Sequence, residues 1–242
     1  MIVPDSPGPR PRLEDRAVAR ALGGVLLAGL LAGCGSTVAG HPEALRQTTI
    51  TRRVGTALPE LLPRPDSFPA AYTALVLPAD QARKAVGDVV GIPAGARADP
   101  EDCAPAPPRF GADRTAVVVG THGDTRATIT VELTRSEQPL TALREQLRHC
   151  HAVRVQRGPL ANAVVTQLDP APAVAADDAL AVRRTVSGPI DAPGLTQSMR
   201  TRLAQIGDVR VNATYMTFGD VPPDTAALDH VFGVAVGNVG RG

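Results

Sequence analysis

Thr115-Ala116-Val117-Val118-Val119, then Gly120-Thr121-His122-Gly123-Asp124, then Arg126-Ala127-Thr128-Ile129-Thr130-Val131-Glu132-Leu133-Thr134, is the stretch on which the fold turns. The outer runs are rich in β-branched residues, and the five residues between them have the composition of a hairpin connection. In the second run Ala127, Ile129, Val131 and Leu133 alternate with Thr128, Thr130, Glu132 and Thr134. A period of two predicts a strand with one face in the core and the other in water.

Working outward, Ala71–Leu77 suits a short strand, and Pro78-Ala79-Asp80 opens a helix running to about Val86. Residues 91–113 read as a proline- and glycine-rich loop. After the hairpin, Pro139 starts a helix with the stripe Leu140, Leu143, Leu147 and Cys150. Val153 with Val155, Ala163–Leu168 and Ala179–Val186 read as strands. Leu195, Met199, Leu203 and Ile206 fall at helical spacing, yet Gly207-Asp208 is a good hairpin turn into the strand Val209–Phe218, so a strand is preferred over 195–206. Pro222-Pro223-Asp224 caps a last helix whose buried side is Leu228, Val231, Phe232, Ala235 and Val239; Tyr215, Phe218 and Phe232 are expected to fill the core. The order predicts an α+β domain with a mainly antiparallel sheet and helices packed on one side.

The chain has 242 residues, 43% of them hydrophobic, so it can bury a sizeable core. With 25 Lys+Arg against 24 Asp+Glu it lacks the basic footprint of a nucleic-acid binder, and with two Tyr, four Phe and no Trp it has little on which a base or sugar could stack. No nucleic-acid partner is expected.

The N-terminus carries Arg10, Arg12, Arg16 and Arg20, then the apolar run Ala21–Leu31, then Leu31-Ala32-Gly33-Cys34. This is the order of an export signal. The run is roughly 16 Å of helix, too short for a hydrocarbon core of about 30 Å. Leu-Ala-Gly-Cys resembles the lipobox of bacterial lipoproteins. The resemblance implies cleavage of the Gly33–Cys34 bond and acylation of Cys34, palmitate included, and two or more acyl chains anchor stably. The organisation expected is therefore 1–33 signal peptide, 34–60 lipidated N-terminus and tether, and 61–242 extracytoplasmic domain. Removing residues 1–33 leaves 21 basic and 21 acidic side chains.

Two cysteines then remain, Cys103 and Cys150, in a compartment where disulfides persist. A bridge would pin the loop Asp102-Cys103-Ala104-Pro105 to the end of the helix, and closing about 48 residues is worth on the order of 4 kcal/mol in the chain-entropy model. A metal site at His149-Cys150-His151 is disfavoured, because adjacent residues point in different directions. Asp99, Glu101 and Asp102 lack the spacing of a calcium loop, and Asp177-Asp178 reads as a turn. Neither a metal nor a cofactor is expected.

GxSxG, HExxH, P-loop and GxGxxG signatures are missing from the sequence. His122 and Asp124 are the most catalytic-looking pair, but the same residues serve a polar turn.

With the lipobox, a Thr-rich tether and 24 Arg to one Lys (Lys84), the chain resembles lipoproteins of high-GC actinobacteria. From about Leu61 to Val239 it is similar to a mycobacterial cell-envelope lipoprotein family of unknown function. The matching residues are Phe68-Pro69, Asp99-Pro100-Glu101-Asp102-Cys103, the helix ending in Cys150, Val209-Arg210-Val211 and the small-residue C-terminal helix. A remoter similarity is to the extracytoplasmic sensor domain of mycobacterial Ser/Thr kinases, which typically has four cysteines where this chain keeps two. The resemblance implies an α+β fold and an envelope setting, and it carries over no catalytic residues. The expectation is a membrane-anchored binding or sensor-like domain for a small ligand, a lipid or an envelope protein, and not an enzyme. The alternatives are an envelope hydrolase using His122 and Asp124, or a structural lipoprotein acting through a protein interface.

Overall fold

In a computed structural model of the chain, residues 52–93, 95–106, 111, 113–188 and 196–242 are described. The segment 1–33 read as a signal peptide, with Gly33, and Cys34 lie outside them. Nine strands form one sheet: β1 (Tyr72–Val76), β2 (Arg97–Asp99), β3 (Thr115–His122), β4 (Thr128–Arg135), β5 (Ala152–Arg157), β6 (Leu160–Asp169), β7 (Asp178–Ser187), β8 (Gln197–Ile206) and β9 (Val209–Phe218). Their order is β1-β3-β4-β9-β8-β7-β6-β5-β2, and every pairing is antiparallel. The helices are α1 (Leu58–Leu61), α2 (Ala79–Asp88), α3 (Leu140–His149) and α4 (Thr225–Arg241). The chain is thus an α+β protein built on a single antiparallel sheet.

Register decides which residues share a face, since paired residues point the same way and neighbours along a strand point oppositely. Val118 pairs with Val131, Val131 with Ala213, and Ala213 with Arg202. This face receives α4, whose Leu228, Val231, Phe232, Ala235 and Val239 pack on Ile129, Val131, Leu133, Val209 and Val211. The opposite face carries Val117 under Ala82 and Val86 of α2, and Leu180, Val182 and Leu203 under Leu140 and Leu147 of α3. The helices therefore divide between the two faces. A nine-stranded sheet with apolar residues on both sides has two surfaces to cover, and the single-sided packing expected from sequence does not occur. For the same reason Thr130 and Glu132, expected to face water, are buried.

The strand preferred over 195–206 is found, while the first hairpin differs in its bounds: Gly120, Thr121 and His122, read as connection, extend β3, and β4 opens at Thr128 rather than Arg126. Residues 197–206 are strand, and Gly207-Asp208 forms a two-residue turn with Gly207 at φ +54°. A Cβ there would lie 2.5 Å from the Arg52 carbonyl, so both the conformation and the close approach require glycine. Phe218 departs from expectation: it ends β9 and is exposed, whereas Tyr215 and Phe232 are core residues. Within the stretch read as loop, Arg97–Asp99 adds the edge strand β2 beside β5.

The chain docks earlier than the tether boundary of 60 suggested. Val54 and Leu58 are core residues, held from outside by a buried guanidinium. Arg135 donates to the carbonyls of Val54 (2.7 Å) and Thr56 (3.0 Å) and to Asp113 (2.9 Å) and Asp208 (3.1 Å). Asp113 in turn accepts from the Leu58 amide at 2.6 Å. Burial would raise the Asp113 carboxyl, but the Leu58 amide and Arg135 outweigh it and hold it below the usual carboxylate range.

Candidate functional site

α4 covers β9, β8 and β4. Beyond it, on the same face, β7 and β8 turn polar. In register, Arg183 lies beside Arg200 and Arg200 beside Tyr215; one step along, Thr185 lies beside Ser198 and Ser198 beside Thr217. These two rows of three floor and wall a cavity of about 110 Å³, closed on one side by Val221 and Pro223 of the β9–α4 connection. The strands put them there because Arg183 and Thr185, Ser198 and Arg200, and Tyr215 and Thr217 are each two residues apart.

The charges are only partly matched. Asp169 takes Arg183 Nη2 on Oδ1 at 2.5 Å and Arg200 Nη1 on Oδ2 at 3.5 Å. Arg202, one step further toward α4, donates to Asp229 of that helix at 2.8 Å. Arg184, on the other face of β7, is half-buried, and desolvation pushes its guanidinium down to about 10.

The wall toward α4 is fixed by Asp224. Its Oδ1 caps the helix by accepting from the Ala227 amide at 3.0 Å, and its Oδ2 accepts from the Tyr72 hydroxyl at 3.1 Å. Tyr215 donates to the Pro222 carbonyl at 3.4 Å. Burial raises both phenols above the ordinary tyrosine value, so each stays a protonated donor. Thr217 is 2% exposed; its Oγ1 makes no hydrogen bond of normal geometry, and the Tyr215 phenol two residues away is the polar group it approaches.

The residues singled out from sequence take other places. Cys103 and Cys150 form the expected disulfide, with Cα atoms 5.6 Å apart. It joins the turn after β2 to the end of α3, in a small core with Ile92, Ala98, Val153, Val155 and Val164. His149 stands close to both sulfurs, but these are bonded to each other and offer no thiolate to a metal. Its Nε2 meets Asp102 Oδ2 at 2.9 Å, which places that acid beside the bridge. His122 Nδ1 accepts from the amides of Asp124 (3.2 Å) and Thr125 (3.3 Å), and its ring stands edge-on to Tyr72 at 5.1 Å. It serves the turn, and Asp124 meets it through the backbone. Asp177 accepts from the Gly207 amide at 2.6 Å, and Asp178 pairs with Arg144 at 3.1 Å.

Sequence reasoning did not single out Arg183, Arg200, Asp169 or Thr217. The available signal was Arg200-Thr201-Arg202: in a strand, two arginines two apart share a face and stand out against an apolar neighbourhood.

Among the described residues no helix is long and apolar enough to cross a membrane. No protein-family model matches the chain, and no curated protein matches it. Among solved structures the chain is similar to an uncharacterized protein of Mycobacterium smegmatis, the Rv0999 ortholog. Identity is 14% with a TM-score of 0.45, over 77% of this chain and 99% of that one.

Proposed function

We propose that the protein is a lipid-anchored extracytoplasmic binding domain, held to the membrane through Cys34 and presenting the open part of its sheet to a ligand. In this reading it works without a cofactor and is not an enzyme. The observation that carries the binding part is the cavity between β7, β8, β9 and the β9–α4 connection, where polar side chains converge on a rigid sheet beside a capped helix. The anchor rests on the N-terminal sequence, Leu31-Ala32-Gly33-Cys34 after an uncharged apolar run. Arg52, which meets Asp177 at 3.4 Å, lies at the Gly207 end of the strands, while the cavity lies toward their other end.

Two measurements test the two halves. Cys34→Ala is expected to move the protein from the membrane to the soluble fraction, and unchanged retention would overturn the anchor. Native mass spectrometry of protein taken from its own envelope is expected to show a retained molecule, lost when Arg200 is replaced by Gln. Protein that carries no ligand even in gentle preparations would overturn the binding reading.

A further inference from the structure

We propose that the cavity between Arg183, Arg200 and Thr217 is a subsite for a singly charged oxyanion, a carboxylate or phosphodiester group of the ligand. The inference rests on the binding-domain reading and names the chemistry of its ligand.

Three observations converge. The first is charge: two guanidinium groups face one carboxylate, Asp169, whose contact to Arg200 at 3.5 Å lies at the edge of hydrogen bonding. One positive charge is left over, and Arg200 keeps donors free from its set of five. Arg184, behind the same strand, is half-buried and has no carboxylate partner among the described residues, and it adds to the positive field. The second is the buried Thr217 Oγ1 without a hydrogen bond of normal geometry, in the cavity lining. A native protein rarely leaves such an atom unserved, and an incoming oxygen would serve it. The third is size. A cavity of about 110 Å³ has room for a group of a few heavy atoms. Arginine's planar fork matches an oxyanion, and the threonine hydroxyl adds a third donor.

The test uses the full chain carrying Cys34→Ser, with amide resonances followed by NMR during titration with inorganic phosphate and with acetate, at constant ionic strength held by chloride. Saturable shifts are expected at residues 183–185, 198–200 and 215–217 at concentrations of about 10 mM or below. Thr217→Val, which keeps shape and removes the donor, and Arg200→Gln should each weaken binding about tenfold. Asp169→Asn should strengthen it, because it removes the anion that competes for both arginines. A purely structural role for the cluster would give the reverse for Asp169→Asn. Should Arg200→Gln fail to fold, Thr217→Val and Asp169→Asn decide the matter. No saturable shift, or shifts indifferent to these substitutions, would overturn the proposal while leaving the binding-domain reading to the retained-ligand measurement. The source of the group is read from vesicles. Preference for phosphatidylglycerol over phosphatidylcholine that disappears in Arg200→Gln marks a lipid headgroup, and phosphate and acetate binding without that preference marks a soluble molecule.

Discussion

Glu132 is a carboxylate in a place where a carboxylate is costly. It lies in the middle of β4, buried, with Asn212 Nδ2 donating to its Oε2 at 3.0 Å. Desolvation raises its pKa, and neither the Asn212 bond nor the attraction of Arg210 cancels the rise. The folded state then holds this proton more tightly than the unfolded chain. Stability falls as pH climbs from the ordinary glutamate value, about 4.3, through the folded value. Glu132→Gln keeps an acceptor for Asn212 and carries no charge. It is expected to raise the urea midpoint at pH 7, by a margin that shrinks as the pH is lowered toward 4; a lower midpoint at pH 7 would show that the charged form is favoured. Asp113 works with the opposite sign: its depressed pKa adds stability above the ordinary aspartate value that is lost as pH falls through the folded one. Neither role could be read from sequence. The alternation around Glu132 marked it as outward-facing, which is correct for the strand and silent about what covers that side. Gly207 was legible, because a Gly-Asp pair between strands demands a turn, but its second duty, clearing space for the Arg52 carbonyl, involves a segment 155 positions away.

At the scale of elements, strands announced by alternation and helices announced by caps appear where expected. Val209–Phe218 and the stripe of α3 needed no tertiary information. β2 escaped because three residues, of which only Ala98 is buried, are too short to show a period. Its position depends on a long-range link: β2 and the turn holding Cys103 sit on the sheet edge and are tied to α3 through Cys150. Cys103→Ser with Cys150→Ser releases a loop of 47 positions. The chain-entropy model gives a loss of about 4 kcal/mol as an upper figure. Amide exchange should accelerate first at residues 97–103, while β4 and β9 keep their protection until the whole sheet opens. Uniform acceleration across β4 and β9 alone would show that the bridge does not act on the edge.

The whole molecule is organised around β9. β3 and β4 arrive before α3, and β5 to β8 form a meander after it. β9 then pairs with β8 on one side and β4 on the other, with Val131 beside Ala213. This closure cannot be seen in local periodicity, since each strand would satisfy its own pattern in several orders. It explains why the open arginine-bearing face stayed hidden: α4 follows β9 directly and covers only the strands next to it, so the far half of that face is left to Arg183 and Arg200. The same closure makes α4 a clamp on both halves, because Phe232 packs in one cluster with Ile129 and Val131 of the first half and Ala204 and Ile206 of the second. Phe232 is among the largest fully buried side chains. Phe232→Ala should cost about 3 to 5 kcal/mol, a large share of the roughly 5 to 15 kcal/mol by which a domain is stable. Because the lost packing is shared, probes in the two halves of the sheet should shift together. A fluorophore attached at Leu75→Cys on β1 and one at Leu160→Cys on β6, both exposed positions, are expected to report the same lowered midpoint. Two separate transitions would mean that the halves fold independently and that β9 joins them without making them one cooperative unit.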